Sequence, residues 1–253
     1  MDNAQKLPYS TGSGLGQSAK IGLIVLQTDQ TIEDEFRQML AIDGVACYHS
    51  RIANAMQVTP QTLAKMQADL PIAASLLPKA FIFDAIGYGC TSGATIIGED
   101  RVAQMILAQH PSANVSNPLS ACRAACAALK LNRIALLTPY TPQVTQALSD
   151  VLSDGGIEIS HTGYFDIEDD FDVGRVDSAS LFNAIIKLGS HESCEGVFVS
   201  CTSLRVAHLI LKAEQRLGKP VISSNQALAW HLLRLSGVTK ELPHFGCLFT
   251  QSF

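Results

Sequence analysis

The chain has 253 residues, 47% of them hydrophobic and 16% charged, with a formal net charge of -5. That balance describes a compact protein with a large buried core and excludes disordered and fibrous classes. The absence of any Lys or Arg run argues against a nucleic-acid partner, and no stretch approaches the roughly 18 consecutive apolar residues of a membrane-spanning helix.

Residues 1–19, MDNAQKLPYSTGSGLGQSA, are Gly- and Ser-rich and lack the apolar segment of a secretory signal; they read as a flexible leader on a cytoplasmic protein. Beyond them, short Val- and Ile-rich runs alternate with longer helical patterns, the signature of βαβ units and a mostly parallel sheet. The pattern predicts strands at 21–26, 45–49, 80–85, 133–137, 157–161, 196–200 and 220–223. Several are continuous apolar runs, as strands buried on both faces should be.

The second half repeats the first. IGLIVLQT from Ile21 matches IALLTPYT from Ile134, 113 positions on, and VACYHS from Val45 matches IEISHT from Ile157, 112 on. Cys90-Thr91-Ser92 matches Cys201-Thr202-Ser203 at 111, and VSN ending at Asn117 matches SSN ending at Asn225 at 108. Four matches in one order predict an α/β protein of two similar lobes with parallel sheets, related by a pseudo-twofold axis. The lobes are expected at 20–115 plus 226–253 and at 116–225. Ligands of open α/β sheets bind beyond the carboxyl ends of the strands, so both CTS turns should look into a cleft between the lobes.

Each CTS turn follows a strand and precedes a helical pattern. Backbone N–H groups at a helix N-terminus favour an anion, and the hydroxyls of Thr91, Ser92, Thr202 and Ser203 add donors for a substrate carboxylate. The same field is expected to lower the pKa of Cys90 and Cys201. A single strand-end cysteine is ordinarily a small packed hydrophobe; here the pairing favours chemistry, while Cys47, Cys122, Cys126, Cys194 and Cys247 read as structural. Seven cysteines without short framework spacings do not suggest a disulfide scaffold. Tyr140, in the turn after strand 133–137, is a candidate phenol donor, and Asp29 and Gln30 occupy the equivalent turn of the first lobe. The acidic stretch Glu168, Asp169, Asp170 and Asp172 lacks calcium-loop spacing, Cys122 and Cys126 have no second ligand pair, and no metal is expected. His208 and His231 fall within helical patterns where packing is the simpler role. Neither common nucleotide fingerprint is present, consistent with a reaction that needs no cofactor.

At these residues the sequence resembles the Asp/Glu racemase superfamily, in the branch that holds maleate cis-trans isomerase and arylmalonate decarboxylase. The likeness runs over nearly all of the chain after Lys20. It is carried by GYGCTSGATIIG at 87–98, LLTPYT at 136–141, FVSCTSLR at 198–205 and KPVISSNQALAWHLLR at 219–234. The TDQTIEDEF and CTSG pieces are also similar to racemase-like proteins associated with ectoine use. The resemblance implies Rossmann-like lobes, a site between them, and catalysis without metal, flavin or pyridoxal phosphate. In such racemases one cysteine thiolate removes the α-proton and the opposite cysteine protonates the other face; in maleate isomerase the first cysteine adds to the alkene. The decarboxylase has glycine where Cys90 stands, so Cys90 favours two-cysteine chemistry. Thr91, Ser92 and Tyr140 match carboxylate-holding positions. The chain departs from the isomerase pattern where Asp29-Gln30 and Asp170 replace neutral Asn donors, a change that disfavours a second substrate carboxylate.

The expected function is therefore a cofactor-independent isomerase or racemase of a small carboxylate or amino acid, with Cys90 and Cys201 catalytic. The alternatives are an arylmalonate-type decarboxylase with Cys201 as proton donor, and a carboxylate-binding protein without turnover. A homodimer is the commonest assembly for such a protein.

Overall fold

A computed structural model of the protein describes residues 4–252; positions 1–3 of the expected leader, and position 253, lie outside the described residues. Residues 4–18 carry no regular structure and are almost all exposed. Order begins where the backbone N–H groups of Ser18 and Ala19 both donate to the Gly44 carbonyl, so Ala19 already belongs to the first strand.

The first half runs β1 (Ala19–Leu26), α1 (Ile32–Met39), β2 (Val45–Ile52), α2 (Pro60–Ser75), β3 (Ala85–Gly89), α3 (Thr91–Ile97), α4 (Glu99–Leu107), β4 (Asn114–Ser116) and α5 (Pro118–Ala128). The second runs β5 (Arg133–Thr138), α6 (Pro142–Asp154), β6 (Glu158–Tyr164), α7 (Asp170–Val173), α8 (Ser178–Gly189), β7 (Gly196–Val199), α9 (Ala207–Leu217), β8 (Val221–Ser223) and α10 (Ser224–Leu235), followed by two short 3-10 turns. The sheets are ordered β2-β1-β3-β4 and β6-β5-β7-β8, all neighbours parallel, so the second sheet repeats the first strand for strand. The repeat seen in the residues is a repeat of topology.

The third strand lies further along the chain than predicted. The run AFIFDA at 80–85 has the aromatic, apolar character of a strand, yet the strand is the glycine-rich Ala85–Gly89. Helices press too closely on this strand for side chains. A Cβ on Gly87 would stand 2.8 Å from a Leu232 methyl, and one on Gly89 2.8 Å from an Ile32 methyl. Phe81 and Phe83 instead form an aromatic group with Tyr48, with ring centroids 4.9 to 5.7 Å apart. β4, three residues long, escaped the apolar pattern altogether.

Burial locks the two halves together. α10 follows the last strand of the second sheet but packs on β3 and β4 of the first, and against α1 and α5. Ten of its twelve residues are buried, the polar Ser224, Asn225, Gln226 and Arg234 among them, because the helix is covered on nearly every side. Its start is fixed by a reciprocal cap between Ser223 and Gln226.

Candidate active site

The carboxyl ends of both sheets open into one narrow cleft. Cys90 follows β3 and Cys201 follows β7, and both line this cleft together with Thr91, Ser92, Tyr140, Asp170, Thr202 and Ser203. None of the other five cysteines reaches it.

Cys90 is the N-cap of α3: its Sγ accepts the Gly93 N–H at 3.2 Å and lies 3.7 Å from the Ser92 hydroxyl. Room for the sulfur exists because residue 93 is glycine. A Cβ there would come within 2.5 Å of the Tyr88 hydroxyl and 2.9 Å of Cys90 Sγ. Cys201 is held differently, with φ at 123°, a region costly for a residue with a side chain. Its N–H donates to the Ser224 hydroxyl at 3.0 Å, and the Tyr140 phenol lines the cleft with it. The turns are cross-braced: Thr91 and Ser224 meet hydroxyl to hydroxyl at 2.8 Å, and the Thr202 hydroxyl donates to the Gly89 carbonyl at 3.2 Å.

Two expectations about these turns need correction. Only the first CTS leads straight into a helix; after Cys201 the chain turns through residues 202–206 before α9 begins at Ala207. The N-terminus of α9 is already occupied, because buried Glu35 accepts the Val206 and Ala207 N–H groups at 2.8 Å each. Nor are the thiols acidified in the closed cleft. Burial pushes Cys90 up to about 12 against the weaker opposing pull of the Gly93 N–H, and burial followed by the charge of Asp170 raises Cys201 well above the ordinary thiol range. Desolvation of a thiolate outweighs one N–H bond.

Asp170, the first residue of α7, is only 3% exposed. Its Oδ2 accepts the Thr28 hydroxyl at 2.5 Å and its Oδ1 the Ser203 hydroxyl at 2.9 Å. Burial raises its pKa, and these two hydroxyls oppose the rise. Asp29 and Gln30, in contrast, do not line the cleft. Asp29 is buried with Oδ1 bonded to the N–H groups of Thr31 and Ile32, starting α1, and Gln30 is exposed with its amide 3.4 Å from the Phe171 carbonyl. Asp29 Oδ2 has no hydrogen-bond partner, since the nearby Thr202 hydroxyl gives its proton to Gly89.

The residues that sequence reasoning passed over are those supplied by tertiary packing. Thr28, one position before Asp29, orients Asp170, and residues 54–66 cover the cleft. The cover is pinned to the second lobe where Val58 N–H donates to the Glu168 carbonyl at 2.9 Å and Asp170 N–H to the Met56 carbonyl at 3.0 Å. Its Val58, Leu63 and Met66, with Leu26 of β1, give the cleft an apolar wall opposite the hydroxyls. Among the described residues, no group of three or more His, Cys, Asp and Glu side chains is placed to hold a metal ion, and no helix is long and apolar enough to cross a membrane.

Residues 100–249 match the family model described as arylmalonate decarboxylase. The maleate isomerase of Geobacillus stearothermophilus is 25% identical over 247 residues, 92% of this chain and 98% of that one. The arylmalonate decarboxylase of Bordetella bronchiseptica is 32% identical over 127 residues, 49% of this chain and 53% of that one. Among solved structures, the maleate isomerase of Pseudomonas putida S16 superimposes with a TM-score of 0.84 at 24% identity, covering 92% of this chain and 98% of that one.

Proposed function

The chain belongs to the arylmalonate decarboxylase family, and from that premise we propose that it is a cofactor-independent isomerase or racemase of a small carboxylate, with Cys90 and Cys201 as the two reacting groups. One observation carries this reading: two buried thiols, on equivalent turns of two similar lobes, line a single cleft rich in hydroxyl donors. The near full-length likeness to maleate isomerases supports an isomerase.

In this reading the Thr91 and Ser92 hydroxyls and the Tyr140 phenol hold the substrate carboxylate and stabilise the negative charge that develops on it, while Thr202 and Ser203, whose hydroxyl protons go to Gly89 and Asp170, shape the cleft wall. For racemisation, one sulfur in its thiolate form takes the α-proton; the C–H electron pair moves into the carboxylate. The other thiol gives its proton to the opposite face and is left as the thiolate, so charge is conserved over the turnover. For cis-trans isomerisation, a thiolate forms a C–S bond to one alkene carbon, the π pair moves to the carbon beside the carboxylate, rotation follows, and expulsion of the thiolate restores the double bond.

A thermal-shift screen of dicarboxylates and of D- and L-amino acids identifies ligands, since one present at about 100 times its Kd adds roughly 2.7 kcal/mol. Each hit is then incubated in D2O and followed by NMR. Stereochemical inversion with deuterium at the α-carbon, or conversion between cis and trans alkenes, is the expected result; binding without either would reduce the protein to a carboxylate-binding module.

Decarboxylation is the second reading, favoured by the family model and by the apolar wall of Leu26, Val58, Leu63 and Met66, which suits a substrate with one apolar substituent. Carbon dioxide release from a substituted malonate that survives Cys90→Gly and fails in Cys201→Ser would select it.

A further inference from the structure

We infer that the substrate carries a protonated amine as well as its carboxylate, and that Asp170 is the specificity-determining residue that receives the amine. This rests on reading the cleft as the substrate site.

The cleft contains an acid with no countercharge. Asp170 is 3% exposed and lines the cleft beside Ser203 and Cys201, yet the ion pairs among the described residues, Arg37 with Asp34, Arg51 with Glu33, Arg123 with Glu99 and Arg175 with Asp172, all leave it out. Among the described residues, no Lys, Arg or His lines the cleft. The neighbouring charges are of the same sign, from Asp169 and from Asp29.

The hydrogen bonds are arranged for the ionised form. The Thr28 hydroxyl accepts the Asn54 side-chain amide at 2.8 Å, so its own proton points to Asp170 Oδ2. Ser203 supplies a second hydroxyl to Oδ1. A carboxylate has about four acceptor positions; two hydroxyls leave the others unused on a side chain that lines the cleft. A buried, ionised carboxylate without a cation is costly, and a ligand that brings the cation offsets that cost where a second carboxylate would add to it. The same cation would also oppose the effect of Asp170 on the thiols, both of which its charge makes harder to ionise. Binding of the correct substrate would thereby favour thiolate formation.

The test is equilibrium binding by calorimetry to the intact protein, using butanoate, succinate, 4-aminobutanoate and the D and L forms of 2-aminobutanoate. At least one amine-bearing probe is expected to bind tenfold or more tightly than butanoate and than succinate, and Asp170→Asn is expected to bring that ratio to within about twofold. Butanoate or succinate binding as tightly as every amine-bearing probe, no measurable binding of any amine-bearing probe, or an amine preference that persists in Asp170→Asn would overturn the inference. The wild-type measurements decide the matter even if the variant does not fold. Because binding is read without turnover, failure here leaves the two-thiol chemistry standing, and failure of isotope exchange leaves an amine preference standing.

Discussion

Thr91 and Ser224 join the two halves of the site: their hydroxyls lie 2.8 Å apart, and the same Ser224 oxygen accepts the N–H of the strained Cys201 at 3.0 Å. One buried hydroxyl thus ties the turn that carries Cys90 to the turn that carries Cys201. Ser224→Ala would leave the Cys201 N–H buried without this partner, at a cost of about 1–3 kcal/mol. The expected outcome is a folded protein with a lower thermal midpoint and turnover slowed by roughly tenfold or more, since small displacements of reacting groups are expensive. Unchanged turnover would mean that this brace does not position Cys201.

Gly93 makes the space that Cys90 occupies. In Gly93→Ala the new methyl would press on the Tyr88 hydroxyl, Cys90 Sγ and a Met66 methyl, all within 2.9 Å of the added carbon. Overpacking of this kind costs roughly 1–3 kcal/mol in a core. The loss of turnover should be larger than that figure alone suggests, roughly a hundredfold, because the thiol itself is moved. Denaturant unfolding measured beside turnover separates the two effects.

The Cys90 thiol of the empty protein should stay protonated through neutral pH. Ultraviolet thiolate absorbance, taken as the difference between wild type and Cys90→Ser, is expected to show no titration of Cys90 at or below about 8.5, the ordinary thiol value. Asp170→Asn should move the midpoint downward, because the Asp170 charge is one of the causes that raises it. A Cys90 midpoint below 7 in the empty wild-type protein would contradict this account of the closed cleft.

Glu35 supplies a pH dependence of stability. Burial raises its pKa to about 7 despite the N–H groups of Ala207 and Val206 and the Asn225 amide that bind it. An acid raised in the folded state binds its proton more tightly there than in the unfolded chain. Its contribution is therefore fully present below about 4.5 and is lost as pH rises toward 7. Across that window Glu35→Gln should gain on wild type by about 3 kcal/mol in urea unfolding, from roughly 1.4 kcal/mol per pKa unit. A difference between variant and wild type that does not change with pH would show that folding does not raise the Glu35 pKa.

The features legible in the sequence were those that repeat or that follow local chemistry. The near-constant offset from Ile21 and Ile134 to Cys90 and Cys201 gave the doubled topology and both thiols, and the hydroxyls beside them came with the motif. The rest depended on packing at a distance. Whether 80–85 or Ala85–Gly89 forms β3 is decided by how closely Leu232 and Ile32 press on it, which local strand propensity does not register. Which of the successive residues Thr28, Asp29 and Gln30 serves the cleft is set by the path of one turn. The thiol pKa values run against the helix-terminus expectation because both sulfurs are buried by packing that the local motif does not reveal, with the Asp170 charge adding to the rise.

The central claim is that both sulfurs act on one bound molecule, and the most direct measurement is isotope exchange at the substrate carbon beside the carboxylate, by NMR in D2O, for wild type, Cys90→Ser and Cys201→Ser. Conversion that is abolished, or slowed at least about a thousandfold, in each single variant while ligand binding persists is the expected result. Conversion that survives in both would contradict it.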